Sequence, residues 1–415
     1  MRPSFIKPNK DHWGYFTVGA YKTYSKLEAI EISAKLGQDL HWHFNDEAYD
    51  HFDWTHEPPG DLLFWYAERA RQLRETYDYL VLMYSGGADS HNILRAFVDN
   101  DIYIDEIVQV YAYEGTNNEK FAEANAESFS TSIPQSQYLI EHNPTYKNTK
   151  HSMIDGGKFM TTMLDKTNMF DYWYEISNYF YCPWGHMMGN FREISPDYRQ
   201  LADQGKTIGF IWGVNKPEVT IEKNQFYTEF KEWGVSVFVP PRMQSANPQW
   251  FHDEMFYWSP DMPEVVAKQS HIVKRFLEQI DDRSIDGVHV KLHKPLPIEK
   301  HQSLTISYRG VFEKNGKQIE LTEQGLHALI YPYWNHVSVT TPKPPSPFFG
   351  NKDNWLWKSN VPSKGLNRYY MGVPWLRQHV KNLRPDLWWE KPFDPTVARY
   401  CGGMKNFGRR YKLSK

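Results

Sequence analysis

The sequence from Tyr79 to Phe97 is YLVLMYSGGADSHNILRAF, in which an apolar run leads into two glycines and then into a second apolar pattern. The run from Tyr79 to Tyr84 is short and β-prone and ends at a polar turn, which is typical of a buried strand. From Ser90 onward apolar residues recur at helical spacing, and we expect Asp89 or Ser90 to cap the first turn of that helix. The stretch therefore predicts a strand, a tight turn and the N-terminus of a helix.

The turn between these two elements has the composition of an anion site. Its two glycines would allow a ligand to approach the backbone, and a helix N-terminus presents unpaired N–H groups to negative charge. Asp89 would repel a phosphate unless a cation lay between them, and Mg²⁺ held by one carboxylate and phosphate oxygens is the usual arrangement. The turn is not the common G-x-x-x-x-G-K-[ST] loop, because no Lys follows the glycines. An ordinary βα turn without a ligand is the alternative.

The six residues SGGADS at 85–90 resemble the SGGxDS motif of the PP-loop ATP pyrophosphatases, with Ala88 at the variable position. Within this superfamily, the sequence resembles the C-terminal synthetase domain of the asparagine synthetases. The resemblance implies an enzyme that uses ATP and Mg²⁺, cleaves ATP to AMP and pyrophosphate, and holds the metal with Asp89 as a catalytic residue. The residues that it assigns to ATP binding are Ser85, Gly86, Gly87, Asp89 and Ser90.

The segments after the turn predict the fold class. A second apolar strand is expected at residues 104–113, a helix at 118–126 and a third strand at 136–140. This βαβαβ order predicts an α/β fold with a doubly wound, Rossmann-like parallel sheet, whose ligands lie at the carboxyl ends of the strands. A further helix, at residues 61–74, is expected to pack on the sheet before the first strand.

The length of 415 residues exceeds a single typical core, which predicts more than one packed unit. We expect an N-terminal accessory region at residues 1–60, which ends in the turn signal Glu57-Pro58-Pro59-Gly60. A PP-loop domain is expected at 61–280, and a basic, aromatic-rich C-terminal region at 281–415.

Lys216 is a second candidate catalytic residue. Residues 208–217 predict another core strand and a following loop, so Lys216 would stand at the same edge of the sheet as the SGGADS turn. Related PP-loop enzymes use basic residues of later loops to hold pyrophosphate, and the resemblance extends this role to Lys216. The alternative is a solvated loop lysine.

A helix is expected at residues 263–276, and four of its residues recur at helical spacing: Lys268, His271, Lys274 and Arg275. They could face a phosphate or an acyl group, although such a stripe is more often a solvated face. In the N-terminal region, His41 and His43 alternate as on one side of a strand and could chelate a metal. Surface or packing histidines are the favoured interpretation.

Charge is distributed unevenly along the chain. Residues 301–415 carry 18 Lys and Arg against 7 Asp and Glu, a local net charge of +11. This region could contact nucleic acid, or it could dock on the more acidic remainder of the chain. Apolar runs stay well below the roughly 20 residues that span a bilayer, and residues 1–10 lack a signal-peptide core, so we expect no membrane partner and a cytoplasmic location. No pattern predicts the oligomeric state.

Three functions are compatible with the sequence. The first is an asparagine-synthetase-like ligase that activates a carboxylate, or an amide or carbonyl oxygen, of a small molecule for attack by ammonia or an amine. The second is an enzyme that modifies a nucleobase in tRNA or DNA through an adenylated intermediate. The third is a nucleotide-binding protein without catalysis, although the intact Asp89 favours an enzyme.

Overall fold

The computed structural model describes most of the first half of the chain and shorter parts of the second half. The described residues are 14–111, 128–155, 196–213, 218–222, 225–231, 251–278, 310–314, 317–321, 330–331, 375, 378–385, 388–389, 403–404 and 407–414.

The N-terminal part forms a small antiparallel sheet beside two helices. The strands are β1 (Tyr15–Val18), β2 (Tyr21–Thr23) and β3 (Leu40–His43), with β1 between the other two. The helices are α1 (Lys26–Leu36) and α2 (Asp46–Asp50). Alternation along β1 buries Phe16 and Val18 in the core, so the opposite face of this sheet carries Tyr15 and Thr17.

The central element is a five-stranded sheet in which every neighbouring pair is parallel. Its strands in chain order are β4 (Tyr79–Met83), β5 (Glu106–Tyr111), β6 (Lys150–Asp155), β7 (Ile208–Trp212) and β10 (Phe251–Met255). The spatial order is β10-β7-β4-β5-β6, so the chain builds outward from β4 first in one direction and then in the other. This is the order of a Rossmann-like sheet, and the direction of winding reverses between β4 and β7.

Helices flank this sheet, as an α/β fold requires. They are α3 (Leu62–Thr76), α4 (Ala88–Val98), α5 (Ile133–His142), α6 (Pro196–Asp203) and α7 (Glu264–Glu278). Helix α3 begins at an Asp61 cap, whose side chain accepts from the backbone nitrogen of Phe64 at 2.8 Å, and it packs against α4 and α7. The predicted helices at 61–74 and 263–276 are thereby confirmed.

A third sheet joins distant parts of the sequence. It consists of β8 (Glu218–Glu222), β9 (Gln225–Lys231) and β15 (Phe407–Lys412), in the order β15-β9-β8. The remaining described strands form two antiparallel pairs, β11 (Gly310–Lys314) with β12 (Lys317–Leu321) and β13 (Trp388–Trp389) with β14 (Gly403–Met404). Strand β15, from residues 407–412, thus completes a sheet with two strands from residues 218–231. The predicted domain boundaries at residues 60 and 280 stay predictions.

The burial of the central strands explains why their sequences are continuous apolar runs. All five residues of β7 are buried, and so are four of the five in β4, because helices cover both faces of a parallel sheet. Strand β6 lies at the edge of the sheet and has no fully buried residue, which accounts for its polar sequence KHSMID. The strands predicted around residues 79–84 and 104–113 are confirmed by β4 and by β5, although residues 112–113 lie outside the described part of the chain. The strand predicted within residues 208–217 is confirmed by β7.

The predicted third strand at residues 136–140 is wrong. These residues lie in α5, which has Pro134 in its first turn, a position that proline favours. The hydroxyl of Ser136 donates to the Ser132 carbonyl at 2.8 Å, one helical turn earlier. A short apolar run fits a strand or a helix equally well by its spacing, and here the following segment, β6, supplies the strand instead. The helix predicted at 118–126 lies outside the described residues.

None of the described helices is both long enough and apolar enough to cross a membrane.

Candidate functional site

The SGGADS turn lies at the point where the winding of the sheet reverses. It follows the carboxyl end of β4, and Gly213 follows the carboxyl end of the neighbouring strand β7. A Cβ atom on Gly213 would lie only 3.0 Å from the backbone nitrogen of Ser90. The end of β7 and the first turn of α4 are therefore in close contact, and the turn stands at the switch point, where doubly wound sheets bind their ligands.

Gly86 gives the turn its shape. Its φ of +85° lies in the left-handed region, which side chains with a Cβ rarely adopt. A Cβ atom at this position would also lie 2.9 Å from the Cβ of Ser132, in the π-helical turn Ser128–Ser132 that precedes α5. Glycine is therefore required at position 86 both by the backbone conformation and by the packing of the turn on its neighbour.

Helix α4 begins directly within the turn. Its cap residue is Gly87, with extended backbone (φ −72°, ψ 166°) and no side-chain hydrogen bond to the first turn. The expectation of a cap at Asp89 or Ser90 is wrong, because the Ser90 hydroxyl donates to the Gly87 carbonyl at 3.2 Å instead. Gly87 has no side chain with which to cap the first turn, and a helix N-terminus of this kind favours an anion.

Two serine hydroxyls stand side by side across the turn. Ser85 Oγ and Ser90 Oγ are 3.1 Å apart, and the Gly87 nitrogen donates to Ser85 Oγ at 3.3 Å. Ser90 is buried, whereas Ser85 is exposed to solvent. The exposed Ser85 hydroxyl and the glycine backbone thus place polar groups directly before the N-terminus of α4.

Asp89 lies in the first turn of α4 and is held by two tyrosines from distant parts of the chain. The hydroxyl of Tyr331 donates to Oδ1 of its carboxylate, and the hydroxyl of Tyr257 donates to its main-chain oxygen at 2.7 Å. Burial raises the pKa of Tyr331 well above its ordinary value, and the charge of Asp89 raises it further. Tyr331 therefore stays protonated and acts as a hydrogen-bond donor to the carboxylate.

The tyrosines around Asp89 are functional candidates that sequence reasoning missed. Tyr257 lies two residues beyond the end of β10, so a strand prediction at 251–255 would have placed it at the ligand edge of the sheet. Tyr331 is 242 positions from Asp89, and no local pattern links the two. Asn92 extends the cluster, since its Nδ2 donates to the Tyr257 hydroxyl at 3.1 Å.

The donor set of the turn fits Mg²⁺ with a nucleotide better than it fits a metal alone. Within the described residues, no group of three or more His, Cys, Asp or Glu side chains could hold a metal ion. Asp89 offers one carboxylate beside serine hydroxyls and a glycine backbone, so phosphate oxygens would have to supply further ligands. Asp89 would hold the metal, and the turn would hold the phosphates.

Lys216, the other predicted catalytic residue, lies outside the described residues. The preceding strand β7 ends at Trp212, at the same edge of the sheet as the turn. Its role in holding pyrophosphate stays a prediction.

The four residues predicted to recur along α7 make contacts within the protein and do not form simply a solvated face. They are Lys268, His271, Lys274 and Arg275. The Nζ of Lys268 lies 3.0 Å from the carbonyl oxygen of Pro58 and 2.6 Å from Oε1 of Glu57. His271 is buried, and its Nε2 lies 2.9 Å from the carbonyl oxygen of Trp54. Arg275 also pairs with Glu57, whereas Lys274 bonds Glu278 on its own helix. Most of the stripe therefore fastens α7 to the segment before α3.

His43 is a packing histidine and not part of a described metal group. Its Nδ1 lies 2.6 Å from Oδ2 of Asp46, its Nε2 lies 2.8 Å from the Thr17 hydroxyl, and its ring stacks on Tyr15. His41 is exposed on the same strand.

Two basic residues near the end of the chain contact acidic residues of earlier elements. Arg409 Nε lies 3.2 Å from Oδ2 of Asp46, and Arg410 Nε lies 2.9 Å from Oε2 of Glu229 on β9. These contacts are of the kind expected if the basic region docks on the same chain.

The described geometry defines an α/β protein with a glycine-rich turn at the switch point of its parallel sheet. A comparison with models of known protein families finds none that matches this chain, and a comparison with curated proteins finds no match either.

Proposed function

We propose that the protein is an ATP-dependent adenylating enzyme that activates a carboxylate for attack by ammonia or an amine. The observation that carries the proposal is the position of the SGGADS turn. It lies at the switch point of the sheet, with glycine as the cap residue of α4 and an acidic residue in the first turn. The resemblance of residues 85–90 to the SGGxDS motif supports the same assignment.

The roles of the turn follow from its polar groups. The exposed hydroxyl of Ser85 and the backbone N–H of Gly86 would bind the β- and γ-phosphates of ATP directly. The Ser90 hydroxyl and the Gly87 N–H, which bond within the turn here, would exchange those partners for phosphate oxygens when ATP binds. Mg²⁺, held by Asp89 and phosphate oxygens, would neutralise charge on the departing pyrophosphate. Lys216 would add a positive charge from the loop after β7.

The reaction would then proceed in two steps. An oxygen of the acceptor carboxylate attacks the α-phosphorus of ATP, the bond to the bridging oxygen breaks, and pyrophosphate leaves. Ammonia or an amine next attacks the activated carbonyl carbon, AMP leaves, and the nitrogen loses a proton to yield an amide. An amide or carbonyl oxygen could be activated in the same way, with replacement of oxygen by nitrogen. The turn accelerates the first step by fixing the phosphates in position and by stabilising the leaving group.

Modification of a nucleobase in tRNA or DNA is the second candidate, and the net positive charge of residues 301–415 favours it. Arg409 and Arg410, however, already pair with Asp46 and Glu229 of the same chain. We therefore propose the small acid first, in a cytoplasmic enzyme, and include nucleic acid among the substrates to be tested.

Direct binding of ATP tests the site before any substrate is known. Equilibrium dialysis with labelled ATP and Mg²⁺ is expected to give saturable binding by the wild-type protein. Ser85→Ala should weaken binding roughly tenfold to a hundredfold, since it removes one hydrogen bond to a charged group. Ser414→Ala, at the end of the chain, is the matched control and should bind ATP as the wild type does. Absence of saturable binding by the wild type would refute the proposal.

A further inference from the structure

Tyr331 makes a contact with Asp89 that the proposed reaction does not explain. Its hydroxyl donates to the Asp89 carboxylate, although the two residues are 242 positions apart in sequence. Tyr331 is only 1% exposed, so this hydrogen bond lies in the protein interior, where it is stronger than at a surface.

The backbone beside Tyr331 is itself fixed by a chain of hydrogen bonds from two helices. The hydroxyl of Tyr66, on α3, donates to the carbonyl oxygen of Ile330 at 2.5 Å. Gln269, on α7, donates from Nε2 to the Tyr66 hydroxyl at 2.8 Å. The position of the Tyr331 hydroxyl is therefore set by the rigid helices that flank the sheet.

A second tyrosine holds the backbone of Asp89. The Tyr257 hydroxyl donates to the main-chain oxygen of Asp89 at 2.7 Å, and its ring lies 5.6 Å from that of Tyr331. The backbone and the carboxylate of Asp89 thus each accept a hydrogen bond from a different buried tyrosine. Such separate support restricts both the position and the rotation of the carboxyl group.

We propose that Tyr331 is a positioning residue that orients the Asp89 carboxylate toward Mg²⁺, so that the metal site at the SGGADS turn depends on the C-terminal part of the chain. The inference rests on the proposed function, because it needs Mg²⁺ and ATP at the turn. Hydrogen bonds to a metal-binding carboxylate fix its orientation, and their loss typically costs roughly tenfold to a hundredfold in metal affinity or activity.

Tyr331→Phe tests this role, because it keeps the ring and removes only the hydroxyl. ATP affinity is measured by equilibrium dialysis without Mg²⁺ and then as a function of Mg²⁺ concentration. The Mg²⁺ concentration that gives half of the maximal increase in ATP affinity should rise about tenfold or more. ATP affinity without Mg²⁺ should stay within about twofold, since the phosphate-binding groups are untouched.

Tyr146→Phe is the matched control. Tyr146 is also a buried tyrosine that donates to a carbonyl, that of Ile102 at 2.5 Å, but it precedes β6 and so lies at the opposite edge of the sheet. This variant should leave the Mg²⁺ dependence unchanged. Tyr66→Phe provides an independent test even if Tyr331→Phe does not fold. It frees the Ile330 carbonyl and should raise the half-saturating Mg²⁺ concentration roughly threefold.

The outcomes separate the two proposals. Wild-type protein that binds no ATP with Mg²⁺ would overturn both the proposed function and the role of Tyr331. Mg²⁺-dependent ATP binding that is the same in wild type, Tyr331→Phe and Tyr66→Phe would overturn the role of Tyr331 alone. Equal loss of affinity with and without Mg²⁺ in Tyr331→Phe would also overturn it, because that result indicates a purely structural residue.

Discussion

Gly213 and Ser90 approach each other so closely that a Cβ on the glycine would lie 3.0 Å from the serine backbone nitrogen. The contact brings the end of β7 against the first turn of α4, at the point where the winding of the sheet reverses. Ligand sites of doubly wound sheets are built at this position, because the loops of the two strands separate there in opposite directions. The proposed ATP site consists of those two strand ends.

Replacing Asp89 with Asn should abolish pyrophosphate release and leave the fold intact. The change removes the charge that would hold Mg²⁺, so the rate should fall roughly 100-fold or more. Asn can still accept the hydrogen bond from Tyr331, and the free energy of unfolding should change by less than about 1 kcal/mol. Pyrophosphate assays and urea unfolding measure the two effects.

Asp99→Asn provides the control for that change. Asp99 lies just beyond the other end of α4 and pairs with Arg95, away from the turn. This variant should release pyrophosphate at the wild-type rate. Normal ATP turnover by Asp89→Asn would show that the turn has another use.

Gly86→Ala should both destabilise the protein and weaken ATP binding. Its φ of +85° is unfavourable for alanine, and the new Cβ would lie 2.9 Å from that of Ser132. We expect the free energy of unfolding to fall by about 2–3 kcal/mol, since backbone strain and a steric clash combine. Gly37→Ala isolates the backbone contribution, because Gly37 also has positive φ but its Cβ would meet nothing within 4 Å.

For Gly37→Ala we expect a loss of only about 1–2 kcal/mol and unchanged ATP affinity. Equal unfolding energies and equal ATP affinities in the two variants would contradict the packing of the turn on Ser132.

Lys216→Ala should lower kcat/KM for pyrophosphate release roughly tenfold to a hundredfold, by removal of a charged hydrogen-bond donor. Lys206→Ala is the matched control, because Lys206 is exposed and precedes β7, at the amino edge of the sheet. Steady-state kinetics of both variants measure kcat/KM for pyrophosphate release. If Lys216→Ala behaved like Lys206→Ala, Lys216 would be a solvated loop lysine.

Acid should weaken the docking of α7 through His271. Burial lowers the pKa of His271, although its hydrogen bond to the Trp54 carbonyl opposes that shift. As pH falls below about 6.5, His271 therefore binds a proton more readily in the unfolded chain than in the folded protein. The stability that the neutral, buried His271 contributes is present above about pH 6.5 and is lost as pH falls below it. His271→Gln should flatten the dependence of the unfolding free energy on pH between about pH 7 and pH 5.

Urea unfolding at several pH values measures that dependence. His41→Gln, which changes an exposed histidine on β3, should keep the wild-type pH dependence. An unchanged slope in His271→Gln would mean that another group controls the acid sensitivity.

The parts of the fold that follow from local sequence could be predicted. The β4 run is apolar over its whole length and the turn has two glycines, so the strand, the turn and α4 are encoded within 20 residues. The helices at α3 and α7 likewise have clear apolar spacing. Residues 136–140 are ambiguous, because a short apolar run fits a strand or a helix equally well by its spacing and the third strand, β6, follows only at residue 150.

The site could be predicted only where its residues are adjacent in sequence. Residues 85–90 form one motif, whereas Tyr257 and Tyr331 reach Asp89 through tertiary packing that no periodicity encodes. The cap at Gly87 was also missed. Serine usually caps a helix, but the Ser90 hydroxyl here bonds inward to the Gly87 carbonyl.

The most direct test of the central claim is the fate of ATP labelled at the α-phosphate. The purified protein is incubated with Mg²⁺ and labelled ATP, alone and with pooled amino acids, ammonia and tRNA or DNA, and the nucleotides are separated. We predict labelled AMP with an equal amount of pyrophosphate, and the additive that raises the yield names the substrate class. ADP with phosphate, or intact ATP under every condition, would contradict adenylation at the SGGADS turn.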